Sequence, residues 1–360
     1  MQWSRRAVLG GMGALAVVGV ALVLGACGSS SNNNSTALVI GGWGGVIDEA
    51  TQKAYLNEFD KANNVKSSFV DAPGAQLARL EAQAKAGKVE WDTVDSLDGG
   101  SAYTAYAKGH LMTLPSSLQE TFKKELGASK VTPFGFAHGS LGDVIVCNMD
   151  RMKSCPTTMA QFYDTQLYPQ PRMFGGIEPI EAATTAEVAA GMPIAQTVST
   201  PMNVPAVMET LQKIKPKIKA FWQSGEQQQQ IMRSGEADMG IMWSDRAYQL
   251  VAQGVHLKIN WLGGAYEPSF WAVVKSAPQS ETGLKLLSWI ASHPQGQAKW
   301  ANLVHDSVPN PIALGYLPKS LSLELADNPV NLKQLAVPNF TWYAQNGKEL
   351  DTAYENFLRG

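Results

Sequence analysis

Carboxylates and indole rings recur in this chain at places where an apolar, strand-like run gives way to a turn. Trp43 sits inside the run Gly41-Gly42-Trp43-Gly44-Gly45. Ser96 and Asp98 close the run 91–97, Glu178 and Glu181 follow Phe174-Gly175-Gly176, Trp243 and Asp245 follow the run that starts at Met239, and Glu267 lies just before the run 270–275. This set has the chemistry that an ammonium group needs. A carboxylate accepts charge-assisted hydrogen bonds from N–H donors, and a tryptophan face attracts the cation while packing the methylenes beside it. Each residue also has a structural reading: a tryptophan after a strand packs interfaces, acids welcome a helix N-terminus, and Asp245 and Arg246 suit a first helical turn. Asp143 stands inside an otherwise apolar run, where burial without a partner costs several kcal/mol. It therefore requires either a protein donor or a ligand amine. The glycine run points the other way, because backbone N–H groups of residues 42–45 at a helix start favour an anion, unless the run is only a tight turn under the ligand. If both readings hold, the ligand is a zwitterion.

Other chemistries find little support. The histidines at 110, 138, 256, 293 and 305 form no metal-ligand spacing with each other or with the cysteines. The chain has no hydrolase serine elbow, phosphate-loop lysine motif or zinc-protease helix. We therefore expect no catalytic residues, no metal and no cofactor, with a secreted hydrolase as the weaker alternative, since triads assemble in space and not in sequence. A net charge of −2 without a basic run argues against nucleic acid as a partner. With 17% of residues charged and 45% apolar, the chain is globular and not disordered.

The elements that must hold these residues follow from periodicity. A strand over 38–40 leads through the glycine run into a helix carrying Val46, Ile47, Ala50, Ala54, Tyr55 and Phe59. The unit recurs with a strand at 66–70 and a helix at 75–86, then a strand at 91–97 and a helix at 101–108. Such alternation predicts an α/β fold with a mixed, mostly parallel sheet and helices on both faces. In such sheets ligands bind beyond the carboxyl ends of the strands, where the acids and indoles stand. Further on, the pattern predicts a strand at 141–148, a helix after Pro156-Thr157-Thr158 and a long helix at 206–223 kinked at Pro216. A strand at 239–243 feeds a helix at 244–253 with Ser244 as N-cap and Gly254 past its end. A strand at 270–275 and helices around Leu287, Trp300 and 350–358 complete the chain.

The first 27 residues read as an export signal. Arg5 and Arg6 precede the apolar run 7–24, and Leu24-Gly25-Ala26 places small residues before Cys27. A lipoprotein signal makes Cys27 the lipidated N-terminus, and residues 28–36 a flexible polar tether. Residues 4–9 partly match a twin-arginine motif, with Val8 where that motif has Phe. Cys147 and Cys155 remain. They can pair across a short loop, but two free thiols are the favoured reading because Cys147 lies in an apolar run. Roughly 330 mature residues exceed what one hydrophobic core usually serves, so two lobes are expected.

Four stretches resemble the spermidine/putrescine branch of the solute-binding proteins of ABC importers: 41–63, 132–148 with 156–171, Gly235-Glu-Ala-Asp-Met-Gly-Ile-Met-Trp-Ser-Asp-Arg-Ala-Tyr248, and 270–311. The resemblance implies a class II periplasmic-binding-protein-like, Venus flytrap fold. Its lobe I would span 37–137 and 267–315, and its lobe II 138–266 and 316–360. It implies an extracytoplasmic monomer, touching the membrane only through its lipid anchor, that captures a putrescine- or spermidine-like cation and delivers it to the transmembrane subunits. Trp43 and Trp243 match the family's aromatic positions, Glu178 and Glu181 its paired acids, and Ser96 a polar contact. Ser269 stands where the family has an amine-gripping aspartate, with Glu267 nearby, and Asp98 replaces an aromatic. These departures leave open a zwitterionic ligand such as an amino acid derivative or aminophosphonate.

Overall fold

The computed structural model describes residues 35–360. The export signal, Cys27 and residues 28–34 of the tether lie outside the described residues. Nine strands follow the chain: β1 (Thr36–Gly42), β2 (Val65–Asp71), β3 (Thr93–Asp98), β4 (Val131–Thr132), β5 (Gly135–Asn148), β6 (Arg172–Gly175), β7 (Ile218–Trp222), β8 (Met239–Trp243) and β9 (Leu257–Val273). They join into one ladder of order β2-β1-β3-β9-β5-β8-β6-β7, with β4 on β5. The outer strands pair in parallel, β1 with β2 and β3, and β6 with β7 and β8. The two long strands β5 and β9 run antiparallel to each other and to their neighbours β8 and β3. The sheet is thus mixed, with helices on both sides.

β5 and β9 carry the chain through both lobes. Their pairing shifts register between Ala137 and Ser140 and again between Asp143 and Ile145, and such irregularities bend strands. At the first of them, a Cβ on Gly139 would stand 2.7 Å from Ser269 Oγ and 2.8 Å from Asp306 Oδ2, so a larger residue would push both side chains aside. One apolar core gathers Leu38, Ile40, Leu97, Phe136 and Trp271 beside β1, β3 and the first part of β5. In the second part of β5, alternate residues face opposite cores. Ile145 and Cys147 join Phe174 and Leu211, while Val144 and Val146 join Trp222 and Met242, as a period of two demands when both faces are covered.

Local chemistry explains where several elements begin and end. Thr158 accepts a hydrogen bond from Gln161 N and caps helix Met159–Tyr163, as the Pro-Thr-Thr pattern predicts. Helix Phe340–Arg359 begins ten residues before the periodic stripe at 350, under an Asn339 cap. The long helix expected at 206–223 is two elements. Helix Val204–Ile214 stops before Pro216, a single 3₁₀ turn follows, and residues Ile218–Trp222 form β7. Proline removes one N–H and crowds the preceding turn, and pairing with β6 then outweighs the helical periodicity of Ile218 and Phe221. Ser244 is not the N-cap. It is the first helical residue, and its hydroxyl accepts from Gly142 N, tying the helix to β5 instead. Cys147 and Cys155 form a disulfide, which corrects the expectation of free thiols. The turn after Asn148 returns the chain along β5 until the Cα atoms are 5.7 Å apart, within bridging range. No helix among the described residues is long and apolar enough to cross a membrane.

Candidate functional site

The carboxyl ends of β1, β3, β6 and β8 converge on one cleft, and the irregular middles of β5 and β9 form its floor. The cleft holds two adjoining spaces. A chamber of ≈ 90 Å³ is lined by Trp43, Ser96, Asp98, Trp243, Asp245 and Glu267, together with Arg246, Ser269 and Asp306. A larger space of ≈ 640 Å³ is lined by Trp43, Asp98, Glu178 and Glu181, with Tyr343 and Lys348 from the last helix. Every acid, indole and hydroxyl singled out at a strand end therefore borders the same cleft, and Trp43 and Asp98 border both parts.

The local fold fixes these side chains. Asp98 caps helix Gly99–Ala107 through a 2.8 Å bond from Ser101 N, so its carboxylate serves the helix while facing the cavity. Glu178 is the residue before helix Pro179–Ala189, and Glu181 is buried in that helix's first turn. Ser96 at φ 55° and Glu178 at φ 60° both occupy the left-handed region. That conformation costs non-glycine residues of the order of 1 kcal/mol and concentrates at functional sites. Trp243 Nε1 donates to Glu178 Oε2 at 3.2 Å, and the ring packs edge-on against Trp222.

Three carboxylates from separate elements meet at the floor. One oxygen each of Asp143 on β5, Glu178, and Glu267 on β9 lies within 4.8 Å of the others, a spacing that also suits a metal ion. Asp143 is 3% exposed, and its Oδ1 has no hydrogen-bond partner; Glu267 Oε2 has none either. Among the described residues, no donor therefore meets Asp143 Oδ1. Burial, then the charges of Asp143 and Asp98, pushes the Glu178 carboxyl far above the carboxylate range. Burial and then Glu178 do the same to Glu181 and to Glu267. Burial raises Asp143 to about 7, while burial and then the charge of Asp245 raise Asp306 to about 8. An arriving cation would relieve all of these costs at once.

Cationic side chains border both parts of the cleft, Lys108 and Lys348 the larger space and Arg246 the small chamber. Arg246 Nε lies 3.2 Å from Asp245 Oδ2, and its guanidinium borders the small chamber with a side chain 22% exposed. The sequence offers Asp245 as a ligand contact or, with Arg246, as a first-turn residue; their shared position at the chamber wall depends on how β8 meets its helix. In the glycine run, Gly44 N donates to Asp48 Oδ1 at 2.9 Å, so one of the N–H groups that could face an anion is held by a side-chain carboxyl. Asp306 was not legible at all. It follows His305, which ends helix Pro294–Val304 at φ 63°, and its Oδ1 accepts from Ser140 N. Only the fold aims it at the chamber.

Fold and site together define a two-lobed receptor for a small polar ligand, with no catalytic constellation among the described residues. Residues 54–319 match the family model for bacterial extracellular solute-binding protein. The chain belongs to this family: it is a binding protein of an ABC importer and not an enzyme, it works outside the cytoplasm, and it delivers a small ligand to transmembrane subunits. A gamma-aminobutyric acid-binding protein of Pseudomonas aeruginosa is 24% identical over 329 residues, covering 91% of this chain and 92% of that protein. A solved GABA receptor is 25% identical with a TM-score of 0.80, over 89% of this chain and 97% of the other. A spermidine/putrescine substrate-binding protein of Streptococcus pneumoniae is 17% identical with a TM-score of 0.69, over 90% and 99%. At that identity the likeness is one of fold, and the polyamine branch gains no support beyond it.

Proposed function

We propose that the chain captures a small zwitterionic, amino-acid-like amine. Its ammonium would meet Asp143, Glu178 and Glu267, its methylenes the rings of Trp43 and Trp243, and its anionic end Arg246. The observation that carries this reading is a single guanidinium on the wall of an otherwise acidic, indole-lined chamber. The names of the gamma-aminobutyric acid-binding relative and of the solved GABA receptor support it. A second reading, a putrescine-like diamine, is favoured by the excess of carboxylates over cations around the cleft.

Calorimetry separates the two. Wild type is expected to prefer 4-aminobutyrate over putrescine, and Arg246→Gln to weaken 4-aminobutyrate at least ~10-fold, about 1.4 kcal/mol, while sparing putrescine. A wild type that prefers putrescine would establish the diamine reading in its place, and an Arg246→Gln variant that keeps its affinity for the amino acid would remove Arg246 from the anion's site.

In the same proposal, residues 37–137 with 267–315 and residues 138–266 with 316–360 are the two closing lobes. The separation of apolar cores on either side of the β5 and β9 irregularities supports that division for most of the chain, while Leu317, Leu321 and Leu325 pack in the first core and so favour a return to the second lobe after residue 325. Closure follows if the ligand binds the closed form better than the open one. Cys27 would anchor this monomer to the membrane by lipid alone, at the end of the polar tether.

A further inference from the structure

We infer that Asp143, Glu178 and Glu267 form a three-oxygen seat shaped for a primary ammonium group, and that this seat rejects N-methylated amines. The inference rests on the amine-binding reading above and narrows it to one class of amine.

The geometry is restrictive. For three oxygens no more than 4.8 Å apart, a nitrogen placed centrally lies within about 2.8 Å of each, the length of a charge-assisted N–H···O bond. A primary ammonium has three N–H donors, one for each oxygen. The seat is also vacant of protein donors where it matters. Asp143 Oδ1 and Glu267 Oε2 are buried without partners, and Asp143 is nine-tenths or more enclosed at 3% exposure. Within the trio the Glu178 and Glu267 carboxyls hydrogen-bond each other, and Trp243 Nε1 holds Glu178 Oε2 from the side at 3.2 Å. That bond turns the edge of the indole toward Glu178, so its face is not the wall of the seat. Arg246 is engaged by Asp245.

Each N-methyl group would replace a donor with carbon and leave one buried carboxylate unpaired. A trimethylammonium prefers aromatic faces to a ring of acceptors, and a site built around N–H groups discriminates steeply against analogues that lack them.

The test is calorimetry on the mature protein in chelator-treated buffer, since the same oxygens suit a divalent cation. The probes are 4-aminobutyrate and putrescine, each against its N-trimethyl counterpart. We expect trimethylation to weaken binding ~100-fold or more. A trimethyl compound binding within ~3-fold of its parent would overturn the seat while leaving the amine-binding function standing. No binding of either parent would remove that function, and the seat with it. Asp143→Asn and Glu267→Gln keep the side-chain volumes and remove one ionisable acceptor each from the seat, so they should narrow the ratio of parent to trimethyl affinity. An unchanged ratio in both folded variants would also overturn the proposal.

Discussion

Single side chains in the cleft serve two masters. Trp243 closes β8, packs on Trp222 and donates to Glu178, while Asp98 caps a helix and borders both cavities. Truncating such residues confounds binding with folding, because removing a buried tryptophan costs about 3–5 kcal/mol. Conservative changes are cleaner. Trp243→Phe keeps an aromatic ring but removes the N–H and part of the indole's bulk, so we expect amine affinity to fall ~10-fold together with a modest drop in melting temperature. Glu178→Gln with Glu181→Gln removes two carboxyls that burial holds well above the carboxylate range and that have no cationic partner among the described residues. These should weaken the ligand by at least ~10-fold while stabilising the ligand-free form. Titration calorimetry beside thermal melts reads both effects, and unchanged affinity in both variants would place the ligand elsewhere.

Elements show how pairing overrides local preference. Residues 218–222 carry apolar side chains that fit a helical stripe, yet they form β7 because Pro216 breaks the helix and β6 offers a parallel edge. The disulfide is another long-range product. Cys147 is wholly buried near the end of β5, and Cys155 approaches it across a turn. Closing a loop with a sequence separation of 8 stabilises the fold by about 2–3 kcal/mol in the chain-entropy account. Reduction, or replacement of both cysteines by alanine, should lower the unfolding free energy in urea by about that amount. A loss under ~0.5 kcal/mol would mean the thiols are not bridged.

Across the whole molecule, the cleft concentrates carboxyls that burial keeps protonated. Asp143 at about 7 and Asp306 at about 8 contrast with 3.8 in an unfolded chain. Between about pH 4 and 8 the folded form therefore binds more protons than the unfolded one, and stability falls as pH rises through that window. A bound ammonium favours the ionised carboxylates, so affinity should rise over the same range. Melting temperatures at pH 5, 6.5 and 8 should show the ligand-free protein weakening upward, and the ligand-induced gain growing. A ligand-free melting temperature that climbs from pH 5 to 8 would contradict these shifts.

The strand-helix alternation, the acids and indoles at strand ends and the likeness to solute-binding proteins were all legible in the chain, because period, turn residues and residue type are local properties. Asp143 announced its need for a partner in the same way, as one charge inside an apolar run. Tertiary structure alone decided which of these groups meet. The two register shifts in β5 and β9 bring Asp143 and Glu267 to the floor beside Glu178, and the end of helix Pro294–Val304 aims Asp306 at the same chamber. The capture of Gly44 N by Asp48 and the exposure of Arg246 at the chamber wall likewise depend on distances between elements. Such distances are set by packing and register, which leave no periodic trace in the order of residues.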